Sequence, residues 1–143
     1  MDKLQLKREV LQDAVKRQQE IIDDFKSRIE YLQSDKVEED EIHSDNQELV
    51  ESYEQELNFV IIEMDVLKSL NIEEVFDEIQ LGSIVVTDQM NFFPSVSIEK
   101  FESNGTTYFG ISEKAPLYEK MKGKSKGEAF SFNDMTYTVK DVF

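Results

Sequence analysis

Residues 4–32 read LQLKREVLQDAVKRQQEIIDDFKSRIEYL, and the spacing of their apolar residues decides the first half of the fold. Leu4, Leu11, Val15, Ile22, Phe25, Ile29 and Leu32 recur at intervals of three, four or seven. Such intervals place side chains on one face of an α-helix. Arg8 and Gln18 interrupt this heptad-like seam, and Val10, Ala14 and Ile21 widen it. Neither Gly nor Pro occurs before Gly82. A continuous helix through this stretch would be about 40 Å long at 1.5 Å per residue.

The pattern breaks at Ser34–Asp45. Ser34 and Asp35 are poor residues for a helix interior, and Glu38, Glu39, Asp40 and Glu41 are consecutive acids whose charges repel on a helix face. A turn is expected here, with Ser44 or Asp45 capping a second helix from about Asn46 to Leu70. The second seam is Leu49, Tyr53, Leu57, Val60, Met64 and Leu67. Phe59, Ile61, Ile62, Val66 and Leu70 make the C-terminal half apolar on more than one face, which predicts packing against the following domain. A connection of about a dozen residues predicts antiparallel helices. Pairing between helices of two chains is the alternative. A monomer is expected, with a coiled-coil dimer as the other state.

After Asn71 the period shortens. Ile84–Val86, Ser95–Phe101, Thr107–Ile111, Ala129–Phe132 and Met135–Val139 read as strands, with an extension of the last to Phe143. Asn104-Gly105 and Asn133-Asp134 read as hairpin turns. Pro94 suggests an edge or an interruption. Ala115–Met121 is the one short helix, with Pro116 admissible in its first turn. The fold class is therefore α+β. Residues 1–75 form an antiparallel coiled-coil hairpin with an acidic tip near 34–45. Residues 76–143 form a small β-rich domain.

Charge and composition narrow the function. The formal charge is -15; residues 1–75 carry 21 acids against 9 bases, and residues 76–143 carry 10 against 7. So acidic a chain is not expected to bind bare nucleic acid through counterion release, and no sequence-specific binding is predicted. There is no Cys and one His, His43, beside the acidic run, which excludes a thiolate site or a His-rich metal site. A charged N-terminus and the lack of a long apolar run predict a soluble, cytoplasmic protein without membrane contact. No nucleophile triad and no phosphate-binding glycine loop is present, so the chain is not expected to be an enzyme and needs no intrinsic cofactor.

The second half carries a resemblance. Gly82–Asp88, GSIVVTD, is similar to the opening strand of the C-terminal domain of Gre-type transcription elongation factors. Gly110–Gly127, GISEKAPLYEKMKGKSKG, resembles the same family's strand, Ser-Pro-Leu helix and Gly-Lys, with Ala115-Pro116-Leu117 and Gly123-Lys124 in the matching places. The layout resembles the family over nearly the whole chain and the motifs over about 60 residues. The resemblance implies an FKBP-like C-terminal domain that docks on bacterial RNA polymerase. It also implies a hairpin entering the secondary channel, where tip acids share a catalytic Mg²⁺ and stimulate cleavage of backtracked transcripts. The candidate tip acids are Glu38, Glu39, Asp40 and Glu41, with the shared Mg²⁺ assigned to Glu38 and Glu41. Family members that stimulate cleavage carry a G-D-L-K-E-N-A-E-Y type tip, and that string is absent here.

Two alternatives accompany the cleavage reading. One is a polymerase modulator or inhibitor of the same architecture that does not promote cleavage. The other is a coiled-coil interaction adaptor. Docking candidates are Phe92, Phe93, Pro116, Lys120, Lys122 and Lys124, with Lys126 in the same cluster. Core packing is the competing role for the two Phe, and solubility for the lysines.

Overall fold

The computed structural model describes residues 2–34 and 44–143. The element order is α1 (Lys3–Leu32), α2 (Ser44–Ser69), β1 (Val85–Thr87), β2 (Asn91–Ser95), β3 (Ile98–Ser103), β4 (Thr106–Ser112), α3 (Pro116–Met121), β5 (Ala129–Phe132) and β6 (Met135–Val142). Two long helices thus precede a mixed, open sheet with one short helix; the periodicities predict the helices and the strands that follow, not the mixed pairing. The acidic residues 35–43 lie outside the described residues, as do the side chains proposed to cap α2. The chain forms two compact units, residues 16–65 and residues 1–15 with 66–143.

In residues 16–65 the helices run antiparallel. Gln18 bonds to Val60, and Phe25 meets the Tyr53 ring at 6.0 Å, so one index rises as the other falls. Gln18 is buried and its Nε2 donates to the Val60 carbonyl at 3.0 Å, while its Oε1 has no partner. A residue that reads as a polar interruption is therefore inside. On α2, Glu63 and Met64 are buried. Phe59 and Ile62, three residues apart, are 60% and 61% exposed. The expectation that these apolar residues are packed away is corrected. One helix face suffices for Val60 and Met64, and Phe59 and Ile62 project elsewhere at 100° per residue.

The other unit begins with the N-terminal turns of α1. Asp2 caps this helix by accepting the Gln5 N–H at 2.8 Å. Val10 and Ala14 are fully buried, so the face that merely widened the seam in the sequence is the deeper one here.

The sheet order is β3-β4-β2-β1-β6-β5. Every neighbouring pair is antiparallel except β2 and β4, which are parallel in the register Phe92↔Phe109, Pro94↔Ile111. The sequence reading leaves Asn91–Pro94 out of any strand because Pro weakens a ladder. The structure shows why it is tolerated. The Pro94 carbonyl accepts the Gly82 N–H at 2.9 Å. N–H and C=O of one strand residue point to the same side, so the missing donor faces away from β4 and that ladder loses no bond. The last strand does continue: Ile84 and Phe143 exchange both backbone bonds, at 2.8 and 3.1 Å.

Asn104-Gly105 joins β3 to β4 and Asn133-Asp134 joins β5 to β6. All four residues have positive φ, which suits tight hairpins. The core beneath the sheet contains Ile79, Val85, Phe92, Met121, Phe130 and Tyr137. Phe130 stacks on Tyr137 at 5.0 Å, and Phe92 meets Tyr137 edge-on at 5.8 Å.

Gly110 sits where β3 bulges against β4, between Ile98 and Phe101. A Cβ there would lie 2.5 Å from the Val96 carbonyl oxygen and 2.8 Å from the Ile98 Cβ. Neither neighbour is a flexible side-chain end. Gly110→Ala is expected to lower stability by about 3 kcal/mol, through overpacking and a displaced strand. Equilibrium denaturation in urea measures this, and a loss below about 1 kcal/mol would mean that β3 moves aside freely.

Candidate functional site

The motif residues of the second half have specific structural work. Gly82 has φ 88°, and a Cβ there would stand 2.9 Å from the Asn71 carbonyl oxygen. Ser83 is buried; its hydroxyl donates to the Gln80 carbonyl at 2.7 Å and accepts the Gln80 N–H at 3.2 Å. Thr87 Oγ1 accepts the N–H groups of Gln89 and Met90, closing the β1–β2 loop. Asp88 accepts the Thr138 N–H at 2.8 Å, where β1 bulges against β6. GSIVVTD is thus a strand with a glycine entry and a side-chain-closed exit.

Pro116 stands in the first turn of α3, preceded by Ala115 in an extended conformation. Its missing N–H would have no intrahelical partner there in any case. Gly123 follows α3 with φ 79°, and its N–H donates to the Ile79 carbonyl at 2.8 Å. Lys124 and Ile79 exchange the next bond: the Ile79 N–H donates to the Lys124 carbonyl at 2.9 Å. The Gly-Lys pair therefore ties the loop after α3 to the segment before β1.

Of the docking candidates, Phe92 and Phe93 are 2% and 0% exposed. Both are core residues, so neither offers the exposed aromatic that docking needs. Their correction follows from β2 being a central strand, with a neighbour on each side. Pro116, Lys120 and Lys122 are exposed, and Lys124 is half-buried. Lys122 pairs with Glu119 at 3.1 Å. Lys120, Lys124 and Lys126 form no ion pair among the described residues. Glu38, Glu39, Asp40 and Glu41 lie outside the described residues, as does His43. Among the described residues no group of three or more His, Cys, Asp or Glu could hold a metal ion.

Residues 16–65 also form an open groove of about 310 Å³, lined by Ser27, Arg28, Tyr31, Leu32, Leu49 and Tyr53. Arg28 lies 5.8 Å from the Tyr53 ring centroid and pairs with Asp24 at 2.9 Å. The walls are aliphatic and aromatic, and no pair of groups there is arranged for acid–base or nucleophilic chemistry.

Lys7 is the residue the sequence did not single out. It lies on the Val10–Ala14 face of α1 and is fully buried. Its Nζ donates to the Glu74 carbonyl at 2.6 Å and sits 4.1 Å from the centroid of the Phe76 ring. Beside it, Arg8 binds the Glu73 carboxylate at 2.8 Å. That contact raises the Arg8 pKa and lowers that of Glu73. Two adjacent cations thus fasten the segment after α2 to α1. Removal from water pushes the Lys7 amine down to about 8 from an ordinary 10.5, with the nearby Glu74 charge opposing the shift. A lysine three residues before Val10 was the available signal, but lysine at such a position more often extends to solvent.

No family model and no curated relative matches this chain. Solved structures do. GreA factor homolog 1 (Gfh1) of Thermus thermophilus is 16% identical, with 94% of this chain and 93% of that one covered, at a TM-score of 0.36. Gfh1 of Thermus aquaticus is 15% identical, with 96% and 94% covered, at 0.39. A third structure, of the transcription factor Gfh1, is 18% identical, with 96% and 93% covered, at 0.37. The similarity falls on a homolog of GreA, within the family that the motifs resemble. The cleavage-stimulating reading is withdrawn in favour of its alternative, since the matching structures are of Gfh1, a GreA homolog.

The Lys7 environment gives a pH signature. Its folded pKa lies below the unfolded value, so the unfolded chain binds more protons between pH 8 and 10.5, and stability rises with pH across that window. The gain from pH 8 to 10 is about 2 kcal/mol from this group. Above pH 10 the buried hydroxyls of Tyr108 and Tyr118, whose pKa values burial raises, act in the opposite sense. Lys7→Met is expected to flatten the rise between pH 8 and 10 in urea denaturation. An unchanged slope would show that the amine reaches water.

Proposed function

We propose that this chain is an RNA polymerase-binding regulator of transcription elongation that acts without stimulating transcript cleavage. The observation that carries it is the agreement of motif and geometry in the second half. Gly82, Pro116 and Gly123 occupy a left-handed entry, a first helical turn and a left-handed exit, positions that suit these residue types. These are the positions on which the Gre resemblance rests. The finer assignments belong to the same proposal: an FKBP-like domain over residues 76–143, a hairpin over 1–75, and a monomer acting in the cytoplasm.

In this reading the exposed Pro116, Lys120 and Lys122 and the half-buried Lys124 belong to the docking surface. The acidic segment Glu38, Glu39, Asp40 and Glu41 follows α1 and precedes α2 in the sequence and is the part offered to the polymerase channel. Carboxylates such as Glu38 and Glu41 suit Mg²⁺, which keeps several waters and takes one or two protein ligands. They would compete for the polymerase's own ion while supplying no nucleophile. The departure from the cleavage-type tip string supports this direction.

Phe59 and Ile62 favour a second reading. Two large exposed side chains on α2 are what an interaction adaptor would present.

The test uses bacterial RNA polymerase stalled in a backtracked complex with labelled transcript and Mg²⁺. Added protein is expected to slow extension by at least about threefold at saturation without increasing release of short 3′ fragments, a barrier change of at least about 0.6 kcal/mol. Replacing Glu38–Glu41 by Ala is expected to relieve the slowing. Slowing that survives this change would remove the channel role of the acidic segment. Unaltered extension despite binding would leave the adaptor reading.

A further inference from the structure

The two edges of the sheet are built differently. At one edge, β3 carries Glu99, Lys100 and Glu102 and is bulged against β4. Charges and a bulge are standard protection against pairing with another chain. At the other edge, β5 reads Ala129-Phe130-Ser131-Phe132, with no charge and a regular register to β6.

The register tells which backbone groups of β5 are free. Asn133-Asp134 is a two-residue turn, so Phe132↔Met135 is a hydrogen-bonded pair, and Phe130↔Tyr137 is the next one. The Val139 N–H donates to the Glu128 carbonyl at 2.8 Å while its carbonyl accepts the Gly127 N–H at 2.8 Å, so a bulge at Gly127-Glu128 precedes the regular pairs of β5. Ala129 and Ser131 are therefore the residues whose N–H and C=O point away from β6. Both are exposed, and no backbone partner is found for either among the described residues. Their spacing of two residues is the repeat with which an added strand would engage.

The surroundings say what that strand carries. Lys120, Lys122, Lys124 and Lys126 lie in α3 and the loop leading into β5, in a chain whose net charge is -15. Glu119 pairs with Lys122, Glu128 accepts the Ser125 N–H at 2.9 Å, and Glu78, bridged to Ser125, forms no ion pair with these lysines among the described residues. An edge with free backbone groups, preceded by Lys124 and Lys126 that form no ion pair among the described residues, fits an extended acidic segment. A second copy of this acidic chain fits it poorly, through like-charge repulsion.

We propose that β5 accepts an extended, acidic peptide segment of a partner protein as a seventh strand, with Ala129 and Ser131 supplying the backbone bonds and Lys124 and Lys126 the charge selection. This deepens the docking role given above to the lysines. No polymerase enters the assay, so its failure leaves the polymerase reading standing.

The experiment uses the full-length, ¹⁵N-labelled chain and two blocked peptides of about eight residues, one alternating Val with Glu and one alternating Val with Lys. The acidic peptide is expected to slow amide exchange at Ala129 and Ser131 by at least about tenfold at saturation, while Lys100 and Glu102 on β3 are unaffected. The basic peptide is expected to do neither. Ser131→Pro removes a donor that β6 does not use and should abolish the effect. Lys124→Glu with Lys126→Glu, which leaves the strand untouched, should weaken binding about tenfold and reduce its salt dependence. Absence of protection, equal protection by both peptides, or protection that appears without peptide as protein concentration rises would each overturn the proposal.

Discussion

The parallel pairing of Asn91–Ser95 with Tyr108–Ser112 is the constraint on which the second half depends. A parallel neighbour cannot be reached by a hairpin, so the intervening strand must lie elsewhere. Ile98–Ser103 therefore lies outside β4 and becomes an edge. This puts β2 in the middle, buries Phe92 and Phe93, and places Pro94 where only one side of the strand lacks a donor. It also brings β3 close against Gly110, a position with no room for a Cβ. One topological choice thus accounts for a buried aromatic pair, a tolerated proline and a steric glycine.

The long helices were the most legible feature of the sequence. Thirty residues without Gly or Pro, with apolar groups at helical spacing, leave little else to form. Which face of α1 is innermost was not legible. Two stripes coexist, one through Leu4, Leu11 and Val15 and one through Lys7, Val10, Ala14 and Gln18. The second is buried despite its two polar members, because each finds a backbone carbonyl, that of Glu74 or of Val60. A polar residue with a partner that distant in sequence carries no local sign of burial.

In the sheet, turn chemistry was readable because Asn-Gly and Asn-Asp meet a local requirement for positive φ. β2 was not readable, since a strand containing Pro is recognised only from the side its neighbours occupy. The candidate site divides in the same way. Pro116, Lys120 and Lys122 are exposed and Lys124 is half-buried, Phe92 and Phe93 lie in the core, and the clasp at Lys7 and Arg8 has no local sign in the sequence. The free edge of β5 follows from register, which no composition or period reveals.

Engagement of RNA polymerase by this chain is the proposal on which the rest of the functional reading stands. The direct measurement is sedimentation of purified core polymerase with the fluorescently labelled full chain, over a range of protein concentrations. The label is expected to move with polymerase, to saturate at one chain per enzyme, and to be released when Lys120, Lys122 and Lys124 are changed together to Glu. Label that sediments alone at every concentration would contradict it.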